Sequence, residues 1–201
     1  MKNFYSKSSN FFYKFSKFLM NINCILLGDY KVGKTCLLCS FIDNYFPNPN
    51  FLTYDDYHEM VIENETVNLK IFDHPSSEDI DRFRSNDYPQ ADIFVICFSL
   101  VDPRSFEIVE KIWIPEKNQY GPNKPFILVG TKSDLRQRFK IHSEIEQISK
   151  LQGNLLKEKI GAFSYIECSA LKRTNLKKVF ECTALSVIHQ NESKKHLCFI
   201  E

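Results

Sequence analysis

Almost no net charge is carried by the 201 residues, +1 formally, so no global field draws the chain to nucleic acid and a DNA-binding role is not expected. Neither H-E-x-x-H nor a pair of C-x-x-C motifs is present, and the five histidines are scattered, which leaves no zinc pattern. Long apolar runs are missing too. Lys14 and Lys17 interrupt the aromatic stretch near the N-terminus, which argues against a signal peptide or a membrane span, and Lys2 excludes N-myristoylation at that site. Without internal repeats or a low-complexity linker, one domain is expected, and a 43% hydrophobic content is ample for its core.

Seven cysteines lack regular spacing, and several sit in apolar runs; they are expected to be reduced thiols of a cytosolic protein. Cys36-Leu37-Leu38-Cys39 is formally a C-x-x-C. A redox pair would need the exposed first turn of its helix, which Gly33, Lys34 and Thr35 already fill. Cys36 is nonetheless expected to gain some reactivity from the helix N-terminus.

The most informative stretch is Gly28-Asp29-Tyr30-Lys31-Val32-Gly33-Lys34-Thr35, which matches G-x-x-x-x-G-K-[ST]. An apolar run, Cys24 to Leu27, precedes it as a buried strand, and Cys36 to Phe41 continues as a helix. In that setting the loop's N–H groups, Cys36 included, converge on phosphate oxygens. Lys34 adds a cation, and the Thr35 hydroxyl is placed to hold magnesium. Any metal chemistry is therefore expected at the phosphates. Tyr30 puts bulk where the loop would face a terminal phosphate.

Further strands are predicted at 67–72, 92–100, 125–130 and 164–168, with helical spacing at 103–119, 148–160 and 176–189. Pro103 marks a first turn and Pro115 a break. This alternation predicts an α/β fold: a mostly parallel six-stranded sheet with helices on both faces and ligand at the carboxyl ends of the strands. One antiparallel edge strand, 58–62, is expected to pair with 67–72 through a turn at Asn64-Glu65.

The loops at those carboxyl ends carry Thr131-Lys132-Ser133-Asp134 and Cys168-Ser169-Ala170-Leu171. With the stretches YPQAD, FVICFSLV, ILVGTK, DLR and ECSAL, the chain resembles the small GTPases, the Rho/Rac branch in particular, over about Ile22 to Ile188. An ATP-dependent nucleoside kinase would share the phosphate loop but lack this pair of loops.

The resemblance implies GTP or GDP as ligand, with magnesium. The family's N/T-K-x-D motif falls on Thr131, Lys132 and Asp134, where the carboxylate would accept two hydrogen bonds from guanine that adenine cannot supply. Lys132 would cover one face of the base and Phe46 its edge, and the Ala170 N–H, beside Ser169, would meet guanine O6. The family's switch I threonine falls on Thr53, which joins Thr35 and Asp73 as the magnesium set. Leu52 and Asn50 depart from the family pattern around it, so effector preference is not inherited.

Switch II departs further, because Asp73-His74-Pro75-Ser76-Ser77 stands where the family has D-T-A-G-Q. Ser76 replaces the glycine that contacts the γ-phosphate, and Ser77 replaces the glutamine that orients the attacking water. Tyr30 would fill the space of that water and of an activating arginine finger, which supplies about 10³ to 10⁵ in rate. No catalytic position is expected to be intact.

Residues 1–21 form an extension before the GTPase domain (22–190). Phe4, Phe11, Phe15, Phe18 and Ile22 approximate one helical face, as an interfacial helix would, although Phe12 and Tyr13 blur it and a disordered or self-docked tail stays open. In the tail, 191–201, Cys198-Phe199-Ile200-Glu201 has the layout of a prenylation signal but ends in a carboxylate where none is usual. The insert at 135–146 is short for the Rho type.

The resulting expectation is a monomeric Rho-like GTP-binding signalling protein, constitutively GTP-loaded and hydrolysing weakly or not at all. It would regulate actin through Rho-type effectors, with exchange factors as possible partners. Its place would be the cytoplasm or the cytoplasmic face of the plasma membrane, reached through a Cys198 lipid or the N-terminal arm. A nucleotide-independent scaffold and an ordinary switching GTPase are the alternatives.

Overall fold

The computed structural model describes residues 19–47, 55–63, 65–73, 86–136 and 147–198, the side chains of 55–57 and 194–198 excepted. Six strands make one sheet: β1 (Leu19–Leu27), β2 (Asp55–Ile62), β3 (Glu65–Asp73), β4 (Ile93–Ser99), β5 (Phe126–Thr131) and β6 (Tyr165–Glu167). The order is β2-β3-β1-β4-β5-β6, parallel throughout except for the antiparallel β2·β3 pair at the edge. The predicted fold class is the observed one.

Strand periodicity divides the core. Cys24, Leu26, Val95, Cys97, Ile127 and Val129 point to one face, and Ile25, Leu27, Phe94, Ile96, Phe98 and Leu128 to the other. Both sets are buried, because helices cover both faces; hence β4 and β5 are apolar without alternation. The first face is covered by α1 (Lys34–Ile42) and α5 (Leu176–Cys198). Over the second lie α2 (Pro103–Ile108), α3 (Ile114–Tyr120) and α4 (Lys150–Ile160). Asp102 caps α2 through Ser105 N, and a Ser149/Gln152 capping box starts α4, which ends on Gly161 at φ 73°.

Three local expectations are corrected. The chain does not break at Pro115: a π-helical turn, Val109–Trp113, joins α2 to α3. Proline has no N–H for the carbonyl four residues back and its ring crowds that carbonyl, and the wider π turn relieves both. The edge hairpin closes one residue earlier than predicted, with Ile62 opposite Glu65 and Glu63 in a left-handed conformation at φ 49°. Finally, the helical spacing predicted at 176–189 runs on, with α5 continuing to Cys198. Among the described residues no helix is long and apolar enough to cross a membrane.

Candidate functional site at the carboxyl ends of the strands

β1 delivers the chain into the 28–35 loop, and two glycines make the loop possible. Gly28 has φ 143°, and a Cβ there would stand 2.3 Å from the Cys97 carbonyl oxygen on β4, so only hydrogen fits. Gly33, at φ 106°, turns the chain into α1, whose first regular bond is Leu37 N–H to Gly33 O at 2.9 Å. The helix has no side-chain cap and no acidic residue in its first turn. Its N–H groups and dipole thus meet no competing anion from that turn.

Lys34 is only 7% exposed, and its ammonium folds back beneath the loop to donate to Gly28 O at 2.8 Å and Asp29 O at 3.1 Å. The Thr35 hydroxyl donates to the buried Asp73 carboxylate at the end of β3. A hydroxyl and a carboxylate together are the hard oxygen donors that suit magnesium, and they lie beside the phosphate loop. The chemistry of this donor set therefore fits the ion. Thr53, Ser76 and Ser77 lie outside the described residues.

Next to the loop is a cavity of about 270 Å³. Gly33, Cys36 and Leu37 form its wall toward α1, Thr131, Lys132, Asp134 and Leu135 the wall after β5, and Cys168, Ala170 and Leu171 the wall after β6; Phe46 closes the side after α1. The predicted base-recognition residues are thus brought together. Lys132, at φ 57°, reaches across to donate to the Lys31 carbonyl at 2.6 Å. Burial holds its ammonium below the usual lysine range, against the opposing pull of Cys36, Asp102 and Asp134. The Thr131 hydroxyl is committed inward, 2.5 Å from Val32 O and 2.9 Å from Phe98 O, with one proton between two carbonyls. It holds the phosphate loop against the sheet.

Asp134 accepts from Ser169 Oγ at 2.6 Å, and Ser133 N–H bonds Cys168 O at 3.0 Å, which joins the loops after β5 and β6. Behind them Arg136 grips Glu167 with two hydrogen bonds, 2.7 and 2.9 Å, and also reaches Ile148 O at 2.7 Å; Tyr165 OH donates to Glu167 at 2.9 Å. Burial works against the Glu167 carboxylate, but the bonds from Arg136 and Tyr165 outweigh it and hold its pKa below the ordinary value. No spacing rule in the sequence announced this pair.

One expectation needs qualification. The reactivity expected of Cys36 is overridden: burial pushes its thiol up, and the nearby Lys132 cation only partly opposes this. Cys39 is more deeply buried and is pushed up to about 11. Tyr30 does not line the base cavity; it is 66% exposed, with the Lys31 ammonium 4.9 Å from its ring centroid. Sequence reasoning missed Leu37, Leu135 and Leu171 as cavity walls, although each adjoins a motif residue or lies one helical turn past Gly33.

A phosphate loop, a magnesium-type oxygen pair and two loops around a base-sized cavity, on this sheet order, define the small G-domain fold. The family model described as Ras family matches residues 23–189. The chain belongs to the Ras family of small GTPases. Guanine nucleotide binding, generally with magnesium, signalling, and effector and regulator partners come with that membership.

Proposed function

We propose that this Ras-family chain is a Rho-like GTP-binding protein that retains GTP with magnesium and cleaves it weakly or not at all. Lys34 and the N–H groups from Gly28 to Cys36 would take the phosphates. Thr35 and Thr53 would ligate the ion, with Asp73 behind it, while Asp134, Lys132, Phe46 and Ala170 would hold guanine. The bound nucleotide and ion would supply the charge that orders effector-binding segments.

Among the described residues Tyr30 supports the claim of weak hydrolysis, to which the residue type at Ser77 adds an independent loss. Its ring occupies the third position of the phosphate loop and stands open to solvent, not packed into the core. There it would obstruct an attacking water or an incoming arginine, and the residue types at 76 and 77 supply no substitute. Actin regulation through effectors, prenylation at Cys198, contact of the N-terminal arm with the plasma membrane, and a monomeric state complete the reading by resemblance to the Rho branch.

Single-turnover cleavage of bound GTP with magnesium tests it. Wild type and Tyr30→Gly should both remain below the intrinsic small-GTPase rate, on the order of 10⁻⁴ s⁻¹. Wild-type cleavage at or above that rate would sink the proposal. Recovery in Tyr30→Gly alone would make Ser77 irrelevant.

A further inference from the structure

The loop after α1 and the loop after β6 meet beyond the cavity through one pair of side chains. Arg173 Nη2 donates to Asn44 Oδ1, across 129 positions of sequence. Asn44 lies two residues before Phe46, and Arg173 two residues after Leu171; Phe46 and Leu171 both line the cavity. The bond therefore ties together the chain segments that close two sides of its mouth.

Each partner is presented by a constrained backbone. Asn44 has φ 61° and follows Asp43, whose N–H is fixed on Cys39 O at 2.9 Å at the end of α1. Arg173 has φ 55° and sits in a closed loop, with Ser169 and Thr174 exchanging both backbone bonds at 3.1 and 3.0 Å and Arg173 N–H on Ala170 O at 3.2 Å. Lys172 N–H donates to Ser169 Oγ at 3.0 Å, and Asn175 Nδ2 to Glu167 O at 2.8 Å, so the loop is anchored at both ends. A non-glycine residue in the left-handed region costs free energy that its surroundings must offset. Here two such residues face each other, and a charge-assisted bond joins them.

We infer that Asn44 and Arg173 form a latch across the mouth of the nucleotide cavity that slows release of the bound guanine nucleotide. The inference rests on the proposed binding of guanine nucleotide in this cavity and adds what governs its residence. Both are positioning residues: neither lines the cavity, and each acts through its neighbour on the wall. Breaking the bond frees Phe46 and Leu171 to part, which raises the dissociation rate and leaves base choice to Asp134. Lys172 carries the same charge next door, but its Nζ makes no bond to Asn44, so it separates a latch from a general field.

The test is release of tritiated GDP, chased with unlabelled GDP in excess magnesium, from the full chain. Arg173→Ala and Asn44→Ala should each speed release about three- to tenfold, with association little changed. The double variant should be no faster than the quicker single variant, because the two side chains act as one unit. Lys172→Ala should match wild type. Wild-type release rates in both single variants, effects that multiply in the double variant, or equal acceleration by Lys172→Ala would overturn the latch. A wild-type chain that retains no guanine nucleotide would instead fail the binding reading itself, and the latch with it.

Discussion

Ser169 Oγ stands 2.6 Å from Asp134 Oδ1, so a hydroxyl on the loop after β6 fixes a carboxylate on the loop after β5. Asp134 lines the cavity, so the bond restrains the carboxylate and with it the angle at which a base would meet it.

Asp134→Ala should remove guanine preference. Two charge-assisted hydrogen bonds, each worth about 1.5 to 3 kcal/mol, would be lost to GTP and not to ATP. The GTP-over-ATP affinity ratio should fall by about 10²-fold or more in a competition assay. An unchanged ratio would refute the assignment of Asp134 to the base.

Gly28→Ala tests the loop's geometry separately from its ligand. Its Cβ would lie 2.3 Å from Cys97 O on a backbone with φ 143°, so overlap and strain act together. A loss of about 2 to 4 kcal/mol in urea unfolding is expected. Near-neutral stability would mean that β1 and β4 part at this point more readily than their pairing implies.

How much of this was legible beforehand depends on the kind of signal. β4 and β5 were plain because strands buried on both faces must be apolar throughout. β1 was read from Cys24 although it starts at Leu19, because Asn21 and Asn23 interrupt the apolar pattern while the backbone goes on pairing with β3. The 28–35 loop and the loops after β5 and β6 stood out because their residue types fall at fixed spacing, and the structure brings residues of all three to one cavity. The π turn before Pro115, the inward commitment of the Thr131 hydroxyl and the meeting of Asn44 with Arg173 were not: each depends on where distant backbone lies, which local pattern does not encode.

The Arg136–Glu167 pair makes a pH-dependent contribution whose sign follows from the lowered Glu167 pKa. A carboxyl held below its ordinary value of 4.5 stabilises the fold above that value and loses the contribution as pH falls through the lower folded value. Glu167→Gln should therefore cost about 1 to 2 kcal/mol at pH 7, and the difference from wild type should shrink in unfolding curves recorded below about pH 4.5. A difference independent of pH would assign the effect to packing, not to the ion pair.

Cys36 offers a chemical probe of occupancy. It lines the cavity and its thiol is raised by burial, so alkylation by iodoacetamide should be slow near pH 7 and still be rising above pH 9. Guanine nucleotide should protect it, as read by peptide mass. Equal labelling with and without saturating GTP would place the ligand elsewhere.

The central claim, a Ras-family protein that keeps its GTP, is met most directly by identifying the nucleotide released on denaturing the protein purified from cells. The account predicts GTP in roughly equal molar amount to protein, on the strength of tight phosphate and base contacts with little cleavage. GDP would show ordinary hydrolysis and no nucleotide would favour a scaffold; either result would contradict it.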